Sequence, residues 1–234
     1  MKLLVINPIV NANFDILMSS ELQKIKAIDT KIDVISIKNG PKSIGNYSDE
    51  IFAAPEIIDL VIKNKHDYDG FLINCFADPG VNGAREVVNK PIIGAGETSF
   101  FVAAMLGIPF SIITVGNNAR SKMGHRFRAI GLDRFMSATG IEERILDLNN
   151  DLDATSDLII KESRRVMKEY GSEAILLGCT GMISVAKLVS QKSDIKIIEP
   201  STTALKVLEL LVSLNISHPI GGKYIPFNYN NYCK

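Results

Sequence analysis

Short, nearly continuous runs of Val, Ile and Leu alternate with helix-period segments along the chain. The runs are Lys2–Asn7, Ile32–Ile37, Gly70–Asn74, Pro91–Gly94, Pro109–Val115, Arg134–Thr139, Glu173–Gly178 and Ile195–Glu199. Strands covered by helices on both faces of a parallel sheet read this way, because neither face meets water. Between them lie helical segments at Phe14–Ala27, Asp49–Lys65, Gly80–Val88, Thr98–Leu106, Asn117–Ile130, Thr155–Tyr170, Ile183–Ser190 and Thr202–Leu214. The alternation predicts βαβ units and an α/β fold. Thr155 or Ser156 is expected to cap the helix that runs to Tyr170, with Gly171 as its stop. Ile159, Val166 and Tyr170 form its apolar stripe, and the charges from Lys161 to Glu169 read as its wet face.

The chain also repeats itself. Cys75 and Cys179 are 104 positions apart, and the same offset lays Gly70–Asn74 over Ala174–Gly178, Pro91–Gly94 over Ile195–Ile198, and Thr98 over Thr202. With small slippage Lys2–Asn7 lies near Pro109–Val115, and Ile32–Ile37 near Arg134–Thr139. Eight strands thus form two sets of four in the same order. The prediction is two intertwined, pseudosymmetric lobes, each with a four-stranded, mostly parallel sheet flanked by helices. The first spans residues 1–106 and is completed by 203–234; the second spans 107–202. A cleft between them is the expected active site.

Composition narrows the function classes. Twenty-six basic residues balance twenty-six acidic ones, Trp is absent and aromatics make up 7%. A nucleic-acid binder usually shows a basic excess and stacking aromatics, so nucleic acid is not an expected partner. No apolar run is long enough to span a bilayer and no secretory leader is visible, so no membrane partner is expected and the expectation is a cytoplasmic protein. Three cysteines, Cys75, Cys179 and Cys233, do not make a disulfide framework. His66, His125 and His218 show no metal-ligand spacing. Gly94-Ala95-Gly96-Glu97-Thr98-Ser99 lacks the third glycine of a dinucleotide loop, and Glu97 reads as a helix-capping residue. No cofactor and no metal are expected.

Free cysteines are commonly small core residues. Two at matching positions of a repeat, each at the carboxyl end of a strand where parallel sheets bind ligands, point instead to chemistry. At a helix N-terminus the thiol pKa is expected to fall from about 8.5. Neighbouring backbone N–H groups can hold an oxyanion. Two equivalent thiols suit racemisation: one removes a proton from carbon and the other returns one to the opposite face. Cys233 lies outside the repeat and reads as incidental.

At these residues the sequence resembles the aspartate/glutamate/hydantoin racemase superfamily, within it the hydantoin and allantoin racemase branch. Leu4-Val5-Ile6-Asn7-Pro8 is similar to that branch's opening strand and turn, and Gly40-Pro41-Lys42-Ser43-Ile44 to its second-strand exit. Asn74-Cys75-Phe76-Ala77-Asp78-Pro79-Gly80 and Leu177-Gly178-Cys179-Thr180-Gly181-Met182 resemble its two cysteine motifs. The resemblance implies cofactor-independent catalysis with Cys75 and Cys179 as acid and base. It places Asn7, Phe76, Thr114, Gly178, Thr180 and Gly181 as pocket neighbours, and it implies a homo-oligomer acting on a small molecule. Thr180 looks like the amino-acid racemases. Phe76, Ala77, Gly181 and Met182 favour a flat neutral ring over a charged amino acid. The alternatives are an aspartate/glutamate-type racemase, a same-fold lyase or isomerase, and a ligand-binding protein without turnover.

Overall fold

The computed structural model describes residues 1–116, 135–142 and 147–226. The expected helix at 117–130, with His125, and also Arg134 and Cys233 lie outside the described residues. Eight strands are present: β1 (Lys2–Asn7), β2 (Lys31–Ser36), β3 (Gly70–Ile73), β4 (Ile92–Gly94), β5 (Phe110–Val115), β6 (Phe135–Ile141), β7 (Ala174–Leu177) and β8 (Ile197–Ile198). They form two four-stranded sheets of matching order, β2-β1-β3-β4 and β6-β5-β7-β8. The pairs within each sheet run parallel.

The chain divides into two compact units, Met1–Gly94 with Leu205–Lys234, and Ala95–Ala204. In the first, β1 is central and Leu3, Leu4, Val5 and Ile6 are fully buried, which is why this strand reads as an unbroken apolar run. Leu4 and Ile6, two residues apart, share one face with Phe71 and Ile73. They meet Ala53, Ile57 and Val61 of α2 (Tyr47–Asn64) and Ala84 of α3 (Val81–Arg85). Each fully buried Ile or Leu contributes roughly 1.5–3 kcal/mol relative to an exposed one. α1 (Ala12–Gln23) starts at Asn11, whose side chain accepts from the Phe14 N–H. α2 starts with a capping box between Asn46 and Asp49.

In the second unit Ile113, Ile141, Ile175 and Leu177 pack against Ile159 and Val166 of α5 (Leu152–Tyr170) and Val185 and Val189 of α6 (Ile183–Lys192). The cap of α5 is Asp151, not Thr155 or Ser156. The Asp151 carboxylate accepts from the Ala154 N–H at 2.9 Å, whereas Thr155 and Ser156 are buried one turn inside the helix. Gly171 ends the helix in the left-handed region at φ 71°, as expected. Arg165 pairs with Glu162 and Glu169 on its wet face.

Two helices decide where the units divide. α4 (Ala95–Met105) starts directly on β4 without a loop, three residues before the expected Thr98. It groups with the second unit, where Phe100 meets Phe110 edge-on at 5.8 Å. The division therefore falls at Gly94 instead of after residue 106. α7 (Pro200–Ser213) passes from one unit to the other at Ala204/Leu205. Its later turns lie so close on β3 that a side chain at Gly70 would come within 2.9 Å of Leu208 Cδ1 and Val212 Cγ2. Glu209 of α7 accepts from the Ala27 N–H at 2.7 Å and fixes the loop after α1. This C-terminal segment is thus part of the first unit's core.

Candidate active site

Each sheet places its first strand between the second and the third. The chain therefore winds one way to β2 and the other way to β3, and likewise from β5 to β6 and β7. The carboxyl ends of β1 and β3, and of β5 and β7, are topological switch points, where a parallel sheet leaves a crevice for ligand. The two cysteines follow β3 and β7 at these points.

In the first unit a buried polar network holds the strand ends. The Asn74 side-chain amide donates to Asn7 Oδ1 at 2.8 Å, and Asn7 Nδ2 donates to Asp15 Oδ1 at 2.6 Å. Asp15 also accepts from the Ser36 N–H and hydroxyl, at 3.0 and 2.7 Å. β1, β2, β3 and α1 are thereby tied around Cys75. Asn7 is fully buried, and its amide group serves this network. The backbone of Cys75 is fixed by its N–H on Ile73 O (3.0 Å) and by the Asp78 N–H on its own carbonyl (3.1 Å). Asp78 sits at φ 54°, a left-handed conformation that short polar side chains tolerate. Phe76 is buried, while Cys75 is partly exposed.

In the second unit Thr114 Oγ1 donates to Gly178 O at 2.8 Å, and the Gly178 N–H donates to Ile113 O at 2.7 Å. These bonds clamp the exit of β7 against β5. Cys179 is extended (φ −153°, ψ 127°) and precedes a single 3₁₀ turn, Thr180–Met182, that leads into α6. Its carbonyl accepts from the Met182 N–H at 3.1 Å. Gly181 lies so near that a Cβ there would stand 3.4 Å from Cys179 Sγ. Asn149 Nδ2 donates to Gly181 O at 3.3 Å, and Thr180 is buried. The structure thus gathers Thr114, Gly178, Cys179, Thr180 and Gly181 at one switch point and Asn7 and Cys75 at the other.

The electrostatics of Cys179 differ from expectation. Its thiol pKa is pushed up to about 11, not lowered. Desolvation at the edge of the second unit's apolar cluster is the largest cause, although the residue, like Cys75, is partly exposed; the Gly181 N–H, which favours thiolate, opposes it, and the Glu199 carboxylate adds to it. The helix-terminus argument is local, and desolvation outweighs it here. On the other side α3 has five residues and begins six positions beyond Cys75, too short and too far to act on the thiol. Glu199 was not foreseen as part of the site. It is 7% exposed, and its own pKa is raised by that burial against the opposing backbone and side-chain hydrogen bonds of Thr202 and Ser201. The available signal was an acidic residue closing an apolar strand just before Pro200-Ser201-Thr202.

The other sequence candidates fall elsewhere. Glu97 is in the first turn of α4 and half-buried. His218 meets Val88 O at 3.1 Å and packs edge-on against Tyr224. His66 lines a separate pocket of about 440 Å³ with Ile62, Lys65, Val88 and Lys90, all in the first unit. Among the described residues no cluster of three His, Cys, Asp or Glu side chains could hold a metal.

The family and the fold are shared with known proteins. The family described as Asp/Glu/Hydantoin racemase matches residues 3–208. A hydantoin racemase of Pseudomonas sp. (strain NS671) is 32% identical over 216 residues, covering 92% of this chain and 87% of that protein. A hydantoin racemase of Paenarthrobacter aurescens is 26% identical over 217 residues, covering 92% of each. Among solved structures, an allantoin racemase from Klebsiella pneumoniae has a TM-score of 0.89 at 27% identity, covering 96% of this chain and 92% of its own. The matched stretch runs from β1 into α7 and takes in both switch points with both cysteine motifs, and on that match the chain belongs to the Asp/Glu/hydantoin racemase family.

Proposed function

We propose that the protein is a cofactor-independent racemase of a hydantoin-like or allantoin-like cyclic amide, with Cys75 and Cys179 as paired acid and base. The observation that carries this reading is the repeat of one placement: a cysteine directly beyond the third strand of each sheet, at its switch point. In such a ring the reacting C–H lies beside a carbonyl. A thiolate takes the proton, the electron pair moves into the carbonyl as an enolate, and the second thiol protonates the opposite face of the carbon. The reverse reaction exchanges the two roles. Beside Cys179 the electrostatic influence is that of the Glu199 carboxyl group, which suits a neutral ring better than an amino-acid dicarboxylate.

The test is a panel of 5-substituted hydantoins, allantoin, aspartate and glutamate in deuterated water. The expected result is racemisation of a cyclic amide with deuterium appearing at the reacting carbon, and no turnover of the amino acids. Racemisation without deuterium contradicts proton abstraction. Turnover of aspartate or glutamate alone moves the protein to the amino-acid racemases, and binding without exchange makes it a ligand-binding protein.

The raised thiol predicts a pH dependence. A thiol that ionises near 11 carries its proton at neutral pH, so Cys179 is the resting donor and Cys75 the base for one enantiomer. As pH rises through about 11 that donor is lost. The kcat/KM for this enantiomer therefore falls on the alkaline side with that midpoint, measured with an N-alkylated hydantoin whose imide cannot itself ionise. An alkaline limb centred at an ordinary thiol value, about 8.5, would contradict the assignment. Cys75 and Cys179 are unbridged, and thiol chemistry needs them reduced. We therefore place the enzyme in the cytoplasm, as a homo-oligomer that light scattering can check.

A further inference from the structure

We propose that Asp78 is a positioning residue for Cys75: its side chain, seated in the space that Gly94 leaves open, pins the turn bearing this cysteine to the end of β4. The inference takes its catalytic meaning from the two-thiol reading. Ile73 and Gly94 are partners in the β3–β4 ladder. Two residues after Ile73 the chain reaches Cys75 and leaves the sheet. The Asp78 N–H then donates back to the Cys75 carbonyl at 3.1 Å. The Asp78 side chain returns to Gly94, where a Cβ would stand 2.1 Å from Asp78 Oδ1, 2.4 Å from its Cγ and 2.8 Å from its Cβ. Cys75 is thus held by the strand before it and by a residue three positions on that is seated against the neighbouring strand.

The second unit shows why a side chain is needed here. Asp78 and Met182 are repeat equivalents, 104 positions apart. The Met182 N–H makes the same bond to the Cys179 carbonyl, also at 3.1 Å. That turn runs straight into α6, so a ten-residue helix holds it. After Cys75 the next helix is the short α3, which begins only at Val81. Asp78 supplies from its side chain the hold that α6 gives to the Cys179 turn. The backbone alone does not ask for an aspartate at this place. Asp78 lies at φ 54°, a conformation that glycine adopts at no steric cost. On its other side the turn is wedged by Gly80, where a Cβ would stand 3.2 Å from Ala54 Cα of α2.

The test separates the pin from the backbone. Asp78→Gly suits φ 54° and removes the three atoms that meet Gly94. Gly94→Ala leaves residue 78 intact and evicts its side chain. Each is expected to lower kcat for a 5-substituted hydantoin about tenfold or more with KM within about twofold, since the thiol is misplaced from the reacting carbon. Each also speeds iodoacetamide alkylation of Cys75 about threefold or more as the turn opens, with Cys179 unchanged, as read by peptide mass spectrometry. Asp78→Asn, which keeps the shape, stays near the wild type in both measurements. The double variant Asp78→Gly/Gly94→Ala is no worse than Asp78→Gly, because the added methyl enters the vacated space. Cys75 alkylation at the wild-type rate in Asp78→Gly and Gly94→Ala overturns the proposal, and so does a double variant in which the two losses add. A lower melting temperature with unchanged kcat and unchanged Cys75 alkylation marks a merely structural residue and also overturns it. The alkylation needs no substrate, so it decides whether or not a hydantoin is turned over. If Gly94→Ala does not fold, Asp78→Gly against Asp78→Asn decides, and equal Cys75 profiles in those two overturn the proposal.

Discussion

Replacing either Cys75 or Cys179 by serine lowers racemisation of a 5-substituted hydantoin by about a thousandfold or more, the full contribution of a positioned acid or base. The hydroxyl is far less acidic than the thiol, so it neither takes the proton from carbon nor returns one at a useful rate. The two variants are not equivalent in what survives. Each keeps one competent thiol on one face of the ring. Cys75→Ser is expected to exchange deuterium into one enantiomer with retention, and Cys179→Ser into the other. Exchange by Cys75→Ser depends on ionising Cys179, so it climbs with pH towards about 11. The measurement is NMR of separated enantiomers incubated in deuterated water. Retained racemisation in either variant, or exchange of the same enantiomer by both, sinks the two-thiol mechanism.

Much of this site was legible because its signals are local. A parallel strand buried on both faces has to be apolar at every position, so Leu3-Leu4-Val5-Ile6 and Ala174-Ile175-Leu176-Leu177 announce themselves. The offset of 104 then pairs the strands and puts a cysteine after each third one. What was not legible depends on partners distant in the chain. β8 ends at Ile198 because the Glu199 carboxylate turns onto the Ser201 and Thr202 N–H groups. α4 begins on β4 without a loop, and Gly94 leaves room there for Asp78. The direction of the Cys179 shift was missed for the same reason. A helix terminus can be read from neighbouring residues, whereas desolvation against the apolar cluster and a carboxylate beyond another strand exist only once the sheet has formed.

Gly178→Ala lowers stability by about 1–3 kcal/mol and costs about a hundredfold in kcat/KM. The added Cβ would stand 2.5 Å from Thr114 Cβ, 2.9 Å from Thr114 Oγ1 and 3.0 Å from Ile112 Cγ2. None of these atoms can retreat cheaply. Ile112 is fully buried and Thr114 belongs to β5, the strand paired directly with β7. The methyl group therefore pushes the exit of β7 away from β5 and weakens the Thr114 bond to the Gly178 carbonyl. Cys179 is the next residue, so this displacement reaches the acid–base atom, and a shift of about 1 Å in a reacting group can cost a hundredfold. Gly222→Ala is the matched control, since its Cβ meets nothing within 4 Å. It is expected to change stability by less than about 0.5 kcal/mol. Denaturant melts and kcat/KM for both variants decide the point. Equal stability and equal activity of the two would show that the β5–β7 clamp does not hold Cys179 in place.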